Sequence, residues 1–471
     1  MPKTDLPKLP LSHPYKIGIS TDLYFPPIDA IYHSLTGVGE THPSENLPDY
    51  IEIFRGRTVD MKKTREETIP KRIPLTYHGD ALWYTQTNFR EQPATRQEII
   101  RANAHMDALE SEWMIHECAH KSFGGRTFGT YLPPLFSRES AHQIRENTLW
   151  LMEQMEGRQL IVEIPPFPFF LAGSMHPGEF FHSILKETSI GLGLDIGHLI
   201  TMLEALGIKP QPEAITSWIN HYLPIEHVME IHMGGLSLFK NSEITLHQDD
   251  HTAPIPQLLW ESLEAVCRYC PMKNLKGLAI EVDNKEIATI LPEFQKFYRL
   301  IQDSAIPLES LSLSNRERQA ITPLNLYSLD PDALELEYQD LSAYLSRQTS
   351  NTSQFIQGFP NIYRDSIYPY EIWSFGGEIE AIFPDTMNVI RFFLKDPQQS
   401  FVEYFHQDLL SEIFPFDFLV VKVLKFQEWI GKLASEGIFP VDVQDIAIQT
   451  SRREGRRALD DQALINGDEL A

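Results

Sequence analysis

One recurring pattern constrains the fold of this chain more than any other feature: a short apolar run ending in a chemically active side chain. The clearest copy is GLGLDIGHLI at 191–200, where small and apolar residues lead straight into Asp195 and His198 follows three positions later. Such a run reads as a buried parallel strand that delivers an acid at its C-terminal end. A buried carboxylate is costly unless it is paired or binds a metal, so Asp195 needs a partner. The plainer reading is an Asp that caps the following helix, with His198 packed beside it. Repetition of the pattern along the chain decides between them.

Further runs of this kind lie at 15–21 (YKIGIST), 49–54 (DYIEIF), 73–78 (IPLTYH), 112–116 (EWMIH), 159–163 (QLIVE), 227–232 (HVMEIH) and 275–281 (LKGLAIE). With 191–200 they make eight candidate strands, mostly separated by helical stretches. One is the amphipathic 138–156, with Ser137 placed as its N-cap. Alternation of strand and helix argues for a parallel sheet. Eight units in about 300 residues suit a closed (β/α)8 TIM barrel. A doubly wound open sheet is the alternative, weakened because no GxGxxG follows the first strand.

The expected organisation is therefore a Pro-rich lead at 1–14, a barrel domain at 15–305, a mainly helical accessory domain at 306–450 and a flexible tail at 451–471. Residues 354–380, rich in aromatics and Gly, could add short strands to the accessory domain.

The net charge of −25 argues against a nucleic-acid partner, which needs basic surface to displace counterions. No window approaches the ~20 apolar residues of a membrane span, and the lead lacks a signal-peptide core. A cytoplasmic protein is expected. Only Cys118, Cys267 and Cys270 occur, which is no disulfide framework. Cys267 and Cys270 form a single CxxC within a helical run and read as packed thiols, since a zinc site needs further ligands.

His78, His116 with Glu117, Glu163, Asp195 with His198, Glu230 with His232, and Glu281 all sit at the ends of candidate strands. Asp249, Asp250 and His251 follow in the loop after the seventh. In a parallel barrel those ends converge on one rim. A rim of imidazoles and carboxylates with no thiolate suits iron, manganese or zinc. The donors outnumber what one four- to six-coordinate ion can use, so two or three metals are expected, bridged by Glu163 or Asp195.

The segments HGDAL, LIVEIPPF, LGLDIGH, EIHMGG, DDHTAPIPQLLWESL and LAIEVDN occur in an order that resembles the multinuclear non-heme iron-dependent oxidative enzymes, the group that includes methanobactin oxazolone-thioamide synthase. The resemblance runs over about 15–302, and its most distinctive part is Asp249, His251, Pro254, Pro256 and Trp260. It implies a TIM barrel with two or three irons (Fe2+/Fe3+) that uses dioxygen to oxidise a residue, often Cys, of a ribosomally made precursor peptide. Carried over, it implies metal ligands at His78, Glu163, Asp195, His198, His232, Asp249, His251 and Glu281, with Asp249 and His251 also assigned the catalytic role. A further ligand falls within IHECAH; His116 is the choice, with Glu117 and His120 as alternatives. Ile164 departs from the Asn common in relatives. Asp80 and Asp283 are candidates for orienting the histidines. Relatives commonly act with a separate partner protein, a role the accessory domain could fill.

Two other classes remain open: a sugar isomerase or endonuclease using divalent ions on the same barrel, and a metal-binding scaffold without turnover.

Overall fold

The structure, a computed structural model, describes residues 15–23, 26–36, 47–54, 60–67, 73–304, 331–353, 355–374, 377–407 and 418–466. The Pro-rich lead and the start of the accessory domain at 306 lie outside the described residues.

The eight expected strands are present: β1 (Lys16–Asp22), β2 (Tyr50–Phe54), β3 (Leu75–His78), β4 (Trp113–Glu117), β5 (Gln159–Glu163), β6 (Gly191–Asp195), β7 (Val228–Met233) and β8 (Gly277–Glu281). Each pairs in parallel with its sequence neighbour, and β1 pairs with β8 to close the barrel. The register aligns the chemical ends of the strands: Glu117 lies opposite Glu163, His232 opposite Asp195, and Ser20 opposite Glu281. One rim thereby collects the polar side chains, because strands of equal polarity end on the same side.

Strand 191–195 runs directly into helix Ile196–Ala205, and Asp195 is its N-cap, accepting from the His198 N–H at 2.6 Å. Ser137 caps helix Arg138–Gln154 as its position predicts. Two hairpins rise from the rim: His120–Phe123 with Arg126–Leu132, and Leu236–Lys240 with Thr245–Asp249. Asp249 is thus the last residue of a strand rather than part of an open loop. The hairpin fixes its backbone, which a loop would leave freer.

The C-terminal region is mainly helical, with helices Pro331–Leu345, Tyr368–Trp373, Pro384–Ile390, Pro397–Phe405, Phe418–Ser435 and Val441–Asn466. One short strand, Ile356–Gly358, pairs with Phe170–Ala172 of the barrel domain. Where a flexible tail is expected from 451, the last helix runs on to Asn466. Glu454 explains this: buried on that helix, it accepts from the backbone N–H groups of Asp385 and Thr386 and ties the segment to a helix start.

The two regions share a core. Phe123, Phe128 and Leu132 of the first hairpin pack with Tyr338, Leu341, Tyr363 and Tyr368. The Tyr338 hydroxyl lies within hydrogen-bond reach of His120, Leu135 and Ser140. Among the described residues, no helix is long and apolar enough to cross a membrane.

Candidate metal centre

At the rim, His78, Glu163, His232 and Glu281 form one group of donor atoms all within 4.8 Å of one another. A second joins His198, Asp249 and His251, and a third joins Glu163, Asp195 and His198. Eight of the nine ligand positions expected from sequence are therefore brought together. Glu163 belongs to two groups: its Oε2 lies 3.1 Å from His78 Nε2 and its Oε1 lies 2.9 Å from His232 Nδ1.

The ring nitrogens show how each imidazole is aimed. His78 Nδ1 lies 3.0 Å from the Gly79 carbonyl, His198 Nδ1 lies 2.7 Å from the Ile164 carbonyl, and His251 Nδ1 lies 2.6 Å from Asp283 Oδ1. Each acceptor suits an Nδ1–H and leaves Nε2 turned toward the other donor groups. Asp283 thus orients His251. The Ile164 contact is made by main chain, so the departure from Asn at that side chain leaves it intact. Asp80 is half-exposed and acts on His116 through its charge.

His116 is placed differently. Its Nε2 accepts the Leu82 N–H at 3.1 Å and its Nδ1–H donates to the Glu117 carbonyl at 2.9 Å, so both ring nitrogens are already engaged. His120 faces Thr85 and Tyr338 at the junction with the accessory domain. Burial pulls the pKa of His116 down to about 4 and that of His120 to about 3. Glu117, by contrast, has a buried Oε2 with no hydrogen-bond partner. Burial, against the attraction of His78, pushes its pKa up to about 7.

Local sequence explains the approach of the 249–251 segment. A Cβ on Gly234 would sit 2.5 Å from the His251 ring, and one on Gly235 would sit 2.1 Å from the Ala253 carbonyl. The glycine pair after β7 therefore lets the segment close over the rim. Trp260 fastens its far end, donating Nε1–H to the Ile255 carbonyl at 3.1 Å beneath Lys296.

The electrostatics suit cations. Burial lowers the pKa of His251, but Glu281, Asp283 and Asp249 outweigh it and hold the imidazole well above its usual range. Burial raises Asp195 to about 8, partly opposed by His198. Burial also opposes ionisation of Glu163, yet His232 and His78 bring it well below the ordinary carboxylate range. Besides Glu117 Oε2, the buried atoms Asp195 Oδ2, His251 Nε2 and Glu281 Oε2 make no hydrogen bond. Unsatisfied buried polar atoms cost about 1–3 kcal/mol each, and several facing one space are what a pocket built for cations presents. The donor set fits metal ions.

None of the three cysteines belongs to these groups. All are free and buried in the barrel core, and burial raises Cys267 and Cys270 to about 12. Sequence reasoning misses Glu52, which lies inside the barrel beside His232. Its signal is the two-residue alternation that points Glu52 and its neighbours in register, Ser20 and Thr76, to the same face.

A model of the family described as RiPP precursor modification enzyme MbnB/TglH/ChrH matches residues 36–302. A UPF0276 protein of Vibrio parahaemolyticus serotype O3:K6 is 21% identical over 296 residues, covering 59% of this chain and 96% of that one. A UPF0276 protein of Psychromonas ingrahamii is 21% identical over 240 residues, covering 50% and 80%. Among solved structures, endonuclease IV from Thermus thermophilus aligns with a TM-score of 0.39 at 13% identity, over 61% of this chain and 99% of that one. A D-tagatose 3-epimerase-like protein aligns with a TM-score of 0.36 at 15% identity, over 62% and 98%.

Proposed function

The chain belongs to the MbnB/TglH/ChrH family of RiPP precursor modification enzymes, and from that premise we propose that it oxidises a residue of a ribosomally made precursor peptide at a centre of two or three irons, using dioxygen. The observation that carries the reading is that buried atoms of Asp195, His251 and Glu281 make no hydrogen bond while their side chains belong to three overlapping His and carboxylate groups, with Glu117 Oε2 likewise without one on the strand beside Glu163. The ligands are His78, Glu163, Asp195, His198, His232, Asp249, His251 and Glu281, with Glu117 in place of His116. Imidazole and carboxylate donors of this kind suit iron with open positions for substrate.

Iron held there supplies the redox chemistry with dioxygen that side chains lack. The chain's own residues do the rest. Gly79, Ile164 and Asp283 fix which ring nitrogen each histidine presents. Glu163 reaches both His78 and His232 and is placed to bridge. Asp249 Oδ2 is 3.5 Å from both His198 and His251, and its side chain is more exposed than either, which puts it at the open edge of the rim.

A cleft leads from that edge. Tyr131, Phe167, Phe169 and Asp249 of the barrel domain line it with Ile367 and Glu371 of the accessory domain. The accessory domain in this reading walls the approach of the peptide, taking the place of a separate partner protein. The site of action is the cytoplasm.

Anaerobically purified protein should contain iron at two to three equivalents per chain. It should consume oxygen only when given its precursor peptide, to be sought among the short reading frames neighbouring its own. Stoichiometric zinc or manganese without iron, and no oxygen uptake with that peptide, would favour a divalent-metal isomerase or endonuclease and overturn the proposal.

The choice between neighbouring ligands has its own test. Glu117→Gln should reduce the metal bound per chain, read by elemental analysis. His116→Ala should instead cost about 1–3 kcal/mol of stability by stranding the Leu82 N–H, with metal content kept. The reverse pattern would restore His116 as the ligand.

A further inference from the structure

Three of the four histidines at the centre are aimed by an acceptor behind the ring. The fourth, His232, has no carbonyl in that position. Its Nδ1 faces the rim, 2.9 Å from Glu163 Oε1 and 3.5 Å from Glu281 Oε1. Its Nε2 faces down into the barrel, 3.2 Å from Glu52 Oε1 and 3.8 Å from Glu230 Oε1.

Those two carboxylates are not equivalent. Glu230 is already taken: Tyr50 donates its hydroxyl to Oε1 at 2.6 Å and Trp113 donates Nε1–H to Oε2 at 2.7 Å. Glu52 is steadied by weaker neighbours, Ser20 at 2.9 Å and Thr76 at 3.4 Å, and its Oε1 is the carboxylate oxygen nearest to His232 Nε2. All three groups, Glu52, Glu230 and His232, are fully buried. These three side chains also bring donor atoms together, but a cation seated among them would compete with the Tyr50 and Trp113 donors for Glu230, so we read them as a support beneath the centre.

We infer that Glu52 is the positioning residue of His232: it holds the Nε2–H, leaving Nδ1 to bind metal, the opposite ring nitrogen from that used by His78, His198 and His251. The contact is close but not aligned as a hydrogen bond, as is common for site geometry that tightens on binding. The role follows from the carboxylate–histidine–metal arrangement, in which an acceptor behind the ring sets its tautomer and raises its basicity. This inference rests on His232 being a ligand.

The test is anaerobic titration with Co2+ alone, followed by visible absorption, on the full chain and on Glu52→Ala, Glu52→Gln and His232→Ala. Thermal melts of each metal-free protein accompany it. Glu52→Ala should weaken Co2+ binding about 10–100-fold. Glu52→Gln, which keeps an oxygen to accept the Nε2–H, should weaken it less. In the Zn2+-loaded chain, nitrogen-15 spectra should place the ring proton of His232 on Nε2.

Wild-type Co2+ affinity in both Glu52 variants, with a lowered melting temperature alone, would reduce Glu52 to a packing residue and overturn the inference. A His232 ring proton on Nδ1 would do the same. Should Glu52→Ala fail to fold, Glu52→Gln and the ring-proton assignment decide. Unchanged Co2+ binding in His232→Ala would instead remove His232 from the ligand set and with it the premise.

Discussion

Replacing His251 by alanine is expected to abolish turnover and strip metal from the rim together. His251 Nε2 stands 3.2 Å from Glu281 Oε2 and 3.5 Å from Asp249 Oδ2, and Asp283 holds the opposite nitrogen. The substitution removes a donor from the group that also contains His198 and Asp249, leaving two. Losing even about 3 kcal/mol of transition-state stabilisation lowers kcat/KM about 100-fold, and losing the metal should cost more. Metal content by elemental analysis and oxygen uptake with the peptide should fall in parallel. A scaffold that never turns over would show the opposite: His251→Ala would leave its function intact.

The second large effect concerns Glu163. It is the carboxylate shared between two donor groups, with one oxygen toward His78 and the other toward His232. Glu163→Gln keeps the shape but loses the charge that both groups use. It should lower metal content by more than one equivalent, whereas Asp249→Asn, altering one group, should lower it by about one. The metal-free chain should also lose roughly 3–5 kcal/mol of stability, as when one partner of a buried ion pair is removed. Denaturant melts of the apo protein read that second effect. Loss of a single equivalent in Glu163→Gln would mean that Glu163 serves one metal and bridges nothing.

How far the sequence could lead is visible in particular residues. The run that ends at Asp195 was readable as a strand because the consecutive small and apolar positions before it leave little else for it to be. The cap reading of Asp195 holds, and the geometry leaves room for the other beside it. Oδ1 caps the helix that follows, Oδ2 makes no hydrogen bond, and the carboxylate belongs to the group with Glu163 and His198. A carboxylate has two oxygens, and one-dimensional reasoning treats cap and ligand as alternatives when geometry allows both.

IHECAH marks where such reasoning stops. Three ligand-type residues within five positions cannot be ranked by type or spacing. The ranking comes from what each side chain meets: Leu82 and the Glu117 carbonyl for His116, Tyr338 for His120, and no hydrogen-bond partner for Glu117 Oε2. Those partners lie up to 218 residues away along the chain.

The sequence alone determined the eight strands, their common polarity and the rim of imidazoles and carboxylates, because strand periodicity and apolar runs are local properties of the chain. Only the tertiary structure decided which ring nitrogen of each histidine faces the centre. It also decided which residue of IHECAH is left open, and that Glu52 lies beneath His232. Those outcomes depend on acceptors brought together by barrel closure, and hydrogen-bond direction is a property of three-dimensional contacts that no spacing encodes.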